Sequence, residues 1–135
     1  MRMFLRPETQ DKQVWEEVFH HNAYDLPDQF PDSTVVLDVG AHIGCFTAAC
    51  LARGAKHVVA IEPDLDNFEM FTRNHLQHID NDLVTALHGG IAASKEYGGL
   101  SKIPYVKAER GNTALGVDCD MDHIGECEYV KGYGI

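Results

Sequence analysis

Three short apolar runs, Val35-Val36-Leu37, His57-Val58-Val59-Ala60-Ile61 and Leu83-Val84-Thr85-Ala86-Leu87, alternate with two stretches of helical periodicity. That alternation leaves few folds open. A short β-branched run bounded by turn residues suits a strand buried on both faces, and strands joined through helices run parallel. The first intervening stretch sets Ile43, Phe46, Cys50 and Leu51 at i, i+3, i+7 and i+8 and closes at Arg53-Gly54, glycine serving as a left-handed cap. The second starts at Pro63-Asp64 and places Leu65, Phe68, Leu76 and Ile79 on one side. Strand, helix, strand, helix, strand with right-handed crossovers predicts the first half of a doubly wound parallel α/β sheet, its third strand spanning 83–92.

The flanks are simpler. Residues 11–21 carry Val14, Trp15, Val18 and Phe19, the pattern of a short amphipathic helix with Asp11 near its start. A polar loop with Pro27 and Pro31 follows, so 1–32 is expected to be an N-terminal helix and loop and 33–94 the core. After Ser94, Lys102–Val106 and Thr113–Val117 flank Glu109-Arg110-Gly111-Asn112, a hairpin turn, and Glu128-Tyr129-Val130 reads as one more short strand in a hairpin region spanning 95–135. The chain of 135 residues is thus read as a single, partial domain that stops after the third parallel strand and a β-hairpin. An unpaired edge of the first strand favours association with a second copy or a completing chain.

Charge narrows the partners. Eleven Lys and Arg against 21 Asp and Glu leave a net charge of −10, which argues against nucleic acid and anionic membranes, both held by clustered cations. No apolar run approaches the roughly 20 residues of a membrane span, and the start lacks a signal-length apolar core, so a cytoplasmic protein is expected. The four cysteines, Cys45, Cys50, Cys119 and Cys127, lack a Cys-x-x-Cys spacing and read as reduced thiols.

The segment Val35-Val36-Leu37-Asp38-Val39-Gly40-Ala41-His42-Ile43-Gly44 carries the candidate chemistry. Gly40 lets the chain turn sharply after the strand, and Gly44 lets a ligand or strand approach the helix start. Glu62 stands at the end of the next strand, where a carboxylate can accept both hydroxyls of a ribose. Dinucleotide folds want Gly-x-Gly-x-x-Gly; the middle glycine is here His42, which obstructs a pyrophosphate. S-adenosylmethionine has no phosphate and carries an ammonium and a sulfonium that favour a carboxylate, which Asp38 supplies. The pattern therefore favours the methyl donor over NAD.

These residues, with Ala60-Ile61-Glu62-Pro63, Asn67-Phe68, Asn74 and the small-residue turn Ile91-Ala92-Ala93, resemble the FkbM family of class I S-adenosylmethionine-dependent methyltransferases, whose corresponding stretches run close to "DVGANIG", "EP" and "N". The resemblance covers roughly residues 33–94. It implies a Rossmann-like methyltransferase sheet and S-adenosylmethionine as cofactor. It implies that Asp38, Gly40 and His42 surround the methionine moiety, that Glu62 holds the ribose, that the turn around Gly90 and Ile91 lies beside the adenine, and that Ala41, Gly44 and Pro63 belong to the same cofactor-binding set. It also implies O-methylation of a sugar or small-metabolite hydroxyl, the acceptor side belonging to a fourth strand and loop beyond Ile135. A fragment that binds S-adenosylmethionine without catalysis, or with a partner's help, and a nucleotide-binding module are the alternatives. No residue is assigned as catalytic.

No metal site is expected. Asp118, Asp120 and Asp122 alternate as in a calcium loop, yet His123 stands where that loop needs glycine and Tyr129 where it needs glutamate. His75 and His78 lack a third ligand, and Cys119, His123 and Cys127 match no zinc spacing. All are read as surface or packing positions.

Overall fold

The computed structural model describes residues 2–92, 102–107, 113–115 and 127–134. The alternating runs fold as expected: α1 (Asp11–Phe19), β1 (Val35–Val39), α2 (Cys45–Ala52), β2 (His57–Glu62), α3 (Leu65–Asp80) and β3 (Val84–His88) follow in order. The strands form a three-stranded parallel sheet in the order β1-β2-β3. Val36, Val58 and Val84 lie in one row and Asp38, Ala60 and Ala86 in the next. The apolar members of these rows pack with Phe71, Cys50 and Ala55 into the main core. Burial of a side chain such as Val58 or Phe71 contributes about 1.5–3 kcal/mol.

The opposite face carries Leu37-Val59-Thr85 and Val39-Ile61-Leu87 in register. A two-sided burial was expected for β1, but Val35, Leu37 and Val39 are 61%, 59% and 53% exposed. The physical reason is that α2 and α3 both pack on the other face, and among the described residues β1 pairs with β2 alone.

The helices depart from their predicted faces in one instructive place. The buried residues of α3 are Asn67, Phe71 and His75, whereas Leu65 and Leu76 are exposed. This helix lies against the loop after β1, where a carbonyl and a guanidinium need polar partners that leucine cannot supply. Asp64 caps it, accepting a hydrogen bond from the Asn67 amide at 3.0 Å. Gly54 closes α2 at φ +86 as expected. Helix α1 ends at Phe19 rather than 21, and its Val18 joins Ile43, Cys45 and Ala49 in a second core that fastens α1 to α2.

Residues 83–92, expected as one strand, divide. After β3 the Gly89 amide donates to the Glu62 carbonyl at 3.0 Å, and β4 (Gly90–Ala92) enters a different sheet. There β4 pairs in parallel with β7 (Cys127–Gly134), which runs antiparallel to β5 (Lys102–Lys107). The predicted hairpin is β5 with β6 (Thr113–Leu115), joined through Tyr105↔Leu115 and Lys107↔Thr113. Instead of standing alone it belongs to a sheet of order β4-β7-β5-β6. The turn at 109–112, Ala93, the aspartates at 118, 120 and 122, Cys119 and His123 lie outside the described residues.

Candidate functional site

The loop between β1 and α2 folds onto the end of β2. Gly40 and Ala41 amides both donate to the Ile61 carbonyl, at 2.9 and 3.1 Å, and the Gly44 amide donates to the Ala41 carbonyl at 2.9 Å. The His42 amide donates to Glu62 Oε2 at 2.7 Å. To make these turns Gly40, His42 and Gly44 take φ of +78, +52 and +93. The consequence is chemical: these four donors, which a phosphate cradle would aim at a ligand, already have protein acceptors.

Above this loop, at the carboxyl ends of β1 and β2, lies a cavity of about 560 Å³, in the range of small-ligand sites. Asp38, Gly40, Ala41, His42, Glu62 and Pro63 line it, together with apolar Leu37, Val39, Val14 and Val18. The other three predicted positions are placed elsewhere. Gly44 lies against α3, and Gly90 and Ile91 are in β4, paired with Gly132 and Tyr133.

Two carboxylates give the cavity its character. Asp38 is buried and accepts a hydrogen bond from Thr47 Oγ1 at 2.6 Å; burial pushes its pKa up to about 6. Glu62 is also raised by burial, opposed by hydrogen bonds from the Asp64 and His42 amides and from the Asn67 side chain. Each Glu62 oxygen receives a backbone amide, Oε1 from Asp64 at 2.9 Å and Oε2 from His42, and a carboxylate offers about four lone-pair sites. With the Asn67 side chain counted, capacity for about one further donor remains.

The two loop glycines do different work. A Cβ on Gly40 would meet nothing within 4 Å, and Gly40 lines the cavity. Gly40→Ala is therefore expected to cost only about 1–2 kcal/mol of stability, from the left-handed backbone, while its methyl obstructs ligand approach. Chemical denaturation and ligand titration of the same variant would separate the two effects.

Sequence reasoning missed the N-terminal contribution. Arg6 Nε and Nη2 donate to Asp11 Oδ2 and Oδ1 at 2.9 and 2.8 Å, and Nη2 also reaches Asn67 Oδ1 at 2.7 Å. Asn74 accepts from the Phe4 amide at 2.7 Å and donates to the Ile43 carbonyl at 3.0 Å. Asn67 and Asn74, two turns apart on α3, thus tie residues 4–11 to the glycine loop. The only sequence trace of this is two asparagines seven apart on a helix; the pairing of Arg6 with a residue 61 positions away follows no local period.

The remaining candidates are structural. His75 is fully buried, its Nε2 donating to the Gly44 carbonyl at 2.9 Å; burial pushes its pKa down to about 4, so the ring is neutral. Cys45 and Cys50 are buried free thiols raised by burial to about 12 and about 11. Among the described residues no group of His, Cys, Asp and Glu is placed to hold a metal, and no helix is long and apolar enough to cross a membrane.

The fold is therefore part of a Rossmann-like sheet, with a largely apolar cavity carrying two carboxylates at its strand ends. No family model and no curated protein matches the chain. Solved structures do match. A Listeria monocytogenes protein assigned to the S-adenosylmethionine-dependent methyltransferases is 22% identical, over 58% of this chain and 33% of that one, with a TM-score of 0.45. Phosphoethanolamine N-methyltransferase 1 of Haemonchus contortus, in complex with phosphoethanolamine and S-adenosylhomocysteine, is 20% identical over 62% of this chain and 18% of that one, TM-score 0.46. The S-adenosylmethionine-dependent methyltransferase of Agrobacterium tumefaciens is 18% identical over 64% and 25%, TM-score 0.39. The chain spans a third or less of the length of each of these structures.

Proposed function

We propose that the cavity binds S-adenosylmethionine and that the chain is the donor-binding part of a methyltransferase of FkbM type, acting on a hydroxyl of a sugar or small metabolite. One observation carries this reading: the loop has spent the amides of Gly40, Ala41, His42 and Gly44 on protein acceptors, while Asp38 and Glu62 line the cavity as acceptors. Such a site is poor for a pyrophosphate and suited to a cationic ligand with a ribose. The FkbM assignment and the hydroxyl acceptor rest on the resemblance of residues 33–94.

When bound, the cofactor supplies an electrophilic methyl group. Held by Asp38 and Glu62, it would offer that methyl group to an acceptor hydroxyl. Asp38 and Glu62 hold the two ends of the donor, so that positioning provides much of the acceleration. Calorimetric titration of the chain with S-adenosylmethionine and with NAD tests the reading. Saturable heat with the first and none with the second is expected; the reverse pattern overturns it.

Association along β1, which among the described residues pairs with β2 alone, belongs to the same proposal. Val35, Leu37 and Val39 are more than half exposed, Leu37 and Val39 at the cavity wall as well, an apolar stripe of the kind that favours a second chain. Light scattering should show oligomers, and a monodisperse monomer would count against this.

A further inference from the structure

Residues 22–26, between α1 and β1, are closed into a loop by one side chain. Asn22 Nδ2 donates to the Leu26 carbonyl at 2.9 Å, and Asn22 Oδ1 accepts from the Leu26 amide at 3.1 Å. Inside that clamp the Asp25 amide donates to the Asn22 carbonyl at 2.8 Å. Asn22 and Asp25 take φ of +44 and +49, a conformation that asparagine and aspartate adopt more readily than other non-glycine residues. Leu26 packs against both cores. The loop is thus pinned at its end, yet Tyr24 within it is 60% exposed.

Tyr24 lines the cavity and meets Phe46 of α2 edge to face, the ring centroids 4.9 Å apart and the planes at 63°. Such a contact takes at most one face of either ring, so a face of Tyr24 stays open. Phe46 also lines the cavity and packs against the main core, and the next residue, Thr47, donates to Asp38 at 2.6 Å. The start of α2 therefore brings the aromatic pair and a buried carboxylate to one cavity. Its acidic residues are Asp38 and Glu62, and among the described residues no lysine or arginine lines it. An ammonium and the hydroxyls of a ribose donate hydrogen bonds, which carboxylates accept. A sulfonium has no N–H or O–H to donate, and its charge is spread over the carbon groups on sulfur. The negative face of an aromatic ring suits such a cation, as it suits a quaternary ammonium.

We propose that Tyr24, backed by Phe46, receives the sulfonium methyl group on its open face, and that this contact makes the site prefer the charged methyl donor over the neutral thioether left after transfer. This rests on the reading that the cavity takes S-adenosylmethionine. It makes the loop before β1 a specificity element. A ring already held in place loses little freedom on binding, so more of the contact is kept as affinity.

The test compares S-adenosylmethionine with S-adenosylhomocysteine on the whole chain, the two differing in the methyl group and the charge on sulfur. Tyr24→Leu keeps an apolar side chain without the ring. It is expected to weaken S-adenosylmethionine by about three- to tenfold and S-adenosylhomocysteine by less than about twofold. Tyr24→Phe, which restores the ring without the hydroxyl, should restore the preference. In NMR with S-adenosylmethionine labelled with carbon-13 in its methyl group, the methyl proton resonance should move upfield on binding to the wild type, as it does over an aromatic face, and less so in Tyr24→Leu. If the wild type binds neither probe, the cofactor reading and this inference fall together. If it binds them and Tyr24→Leu weakens both equally, or neither, only the inference falls. Should Tyr24→Leu fail to fold, the wild-type spectrum decides: a methyl resonance that does not move upfield overturns the proposal.

Discussion

Replacing Gly44 with alanine is expected to lower the unfolding free energy by about 3–5 kcal/mol, a large part of what a domain of this size possesses. Two effects add. The residue sits at φ +93, which an L side chain adopts at a cost of about 1–2 kcal/mol. Its Cβ would also lie near Nε2 and Cδ2 of His75, at 2.3 and 2.5 Å, and 3.0 Å from a Phe71 ring carbon. His75 cannot swing away cheaply, because it is bonded to the Gly44 carbonyl and stacked on Phe71 with ring centroids 4.6 Å apart. In a His75→Ser background the clash with the imidazole disappears and only the 3.0 Å approach to Phe71 remains, so the cost of the same substitution should fall toward about 1–2 kcal/mol, that of the left-handed backbone. Urea denaturation of the four chains of this cycle measures the coupling; equal costs in both backgrounds would show that His75 is not what Gly44 accommodates.

That pair of residues also shows how far the sequence could be read. The strand runs, the order of elements and the loop were legible because they are local: β-branched runs, 3.6-residue periodicity and glycine after a strand are written within ten residues of one another. The same reading assigned Gly44 to a ligand, since glycine beside a helix start permits close approach by any group; only the packing of α3 shows that the group is His75. The leucines of α3 misled for a related reason. Periodicity finds the apolar stripe, but this helix buries Asn67 and His75 because its neighbour is a loop rich in backbone polar groups. Asp38, His42 and Glu62 were found as cavity residues, whereas the tie from Arg6 to Asn67 was not, since a bond across 61 positions leaves no pattern in one chain.

Asp38→Asn should separate stability from binding. In the folded chain the Asp38 carboxyl titrates near 6, against 3.8 ordinarily, because burial disfavours its charge. The folded state therefore holds that proton more tightly than the unfolded one, and the stability it contributes is complete below pH 3.8 and lost as pH rises through 6. At 1.36 kcal/mol per pH unit the loss approaches about 3 kcal/mol. Asparagine keeps the shape and an acceptor for Thr47 without the charge, so relative to wild type the variant should gain about 2–2.5 kcal/mol between pH 4 and pH 7. His75 works in the opposite sense, its contribution being complete above pH 6.5 and lost as pH falls through about 4. It is present in both chains, so with Asp38 neutralised the variant's own profile becomes the more acid-labile. At pH 7 the same substitution removes a charge from the cavity and should weaken S-adenosylmethionine by about a hundredfold, the usual consequence of deleting one partner of a buried charge contact. Denaturation curves at pH 4, 5, 6 and 7 with a titration at pH 7 give both numbers; a variant that gains stability with rising pH yet binds as wild type would place the cationic end of the ligand away from Asp38.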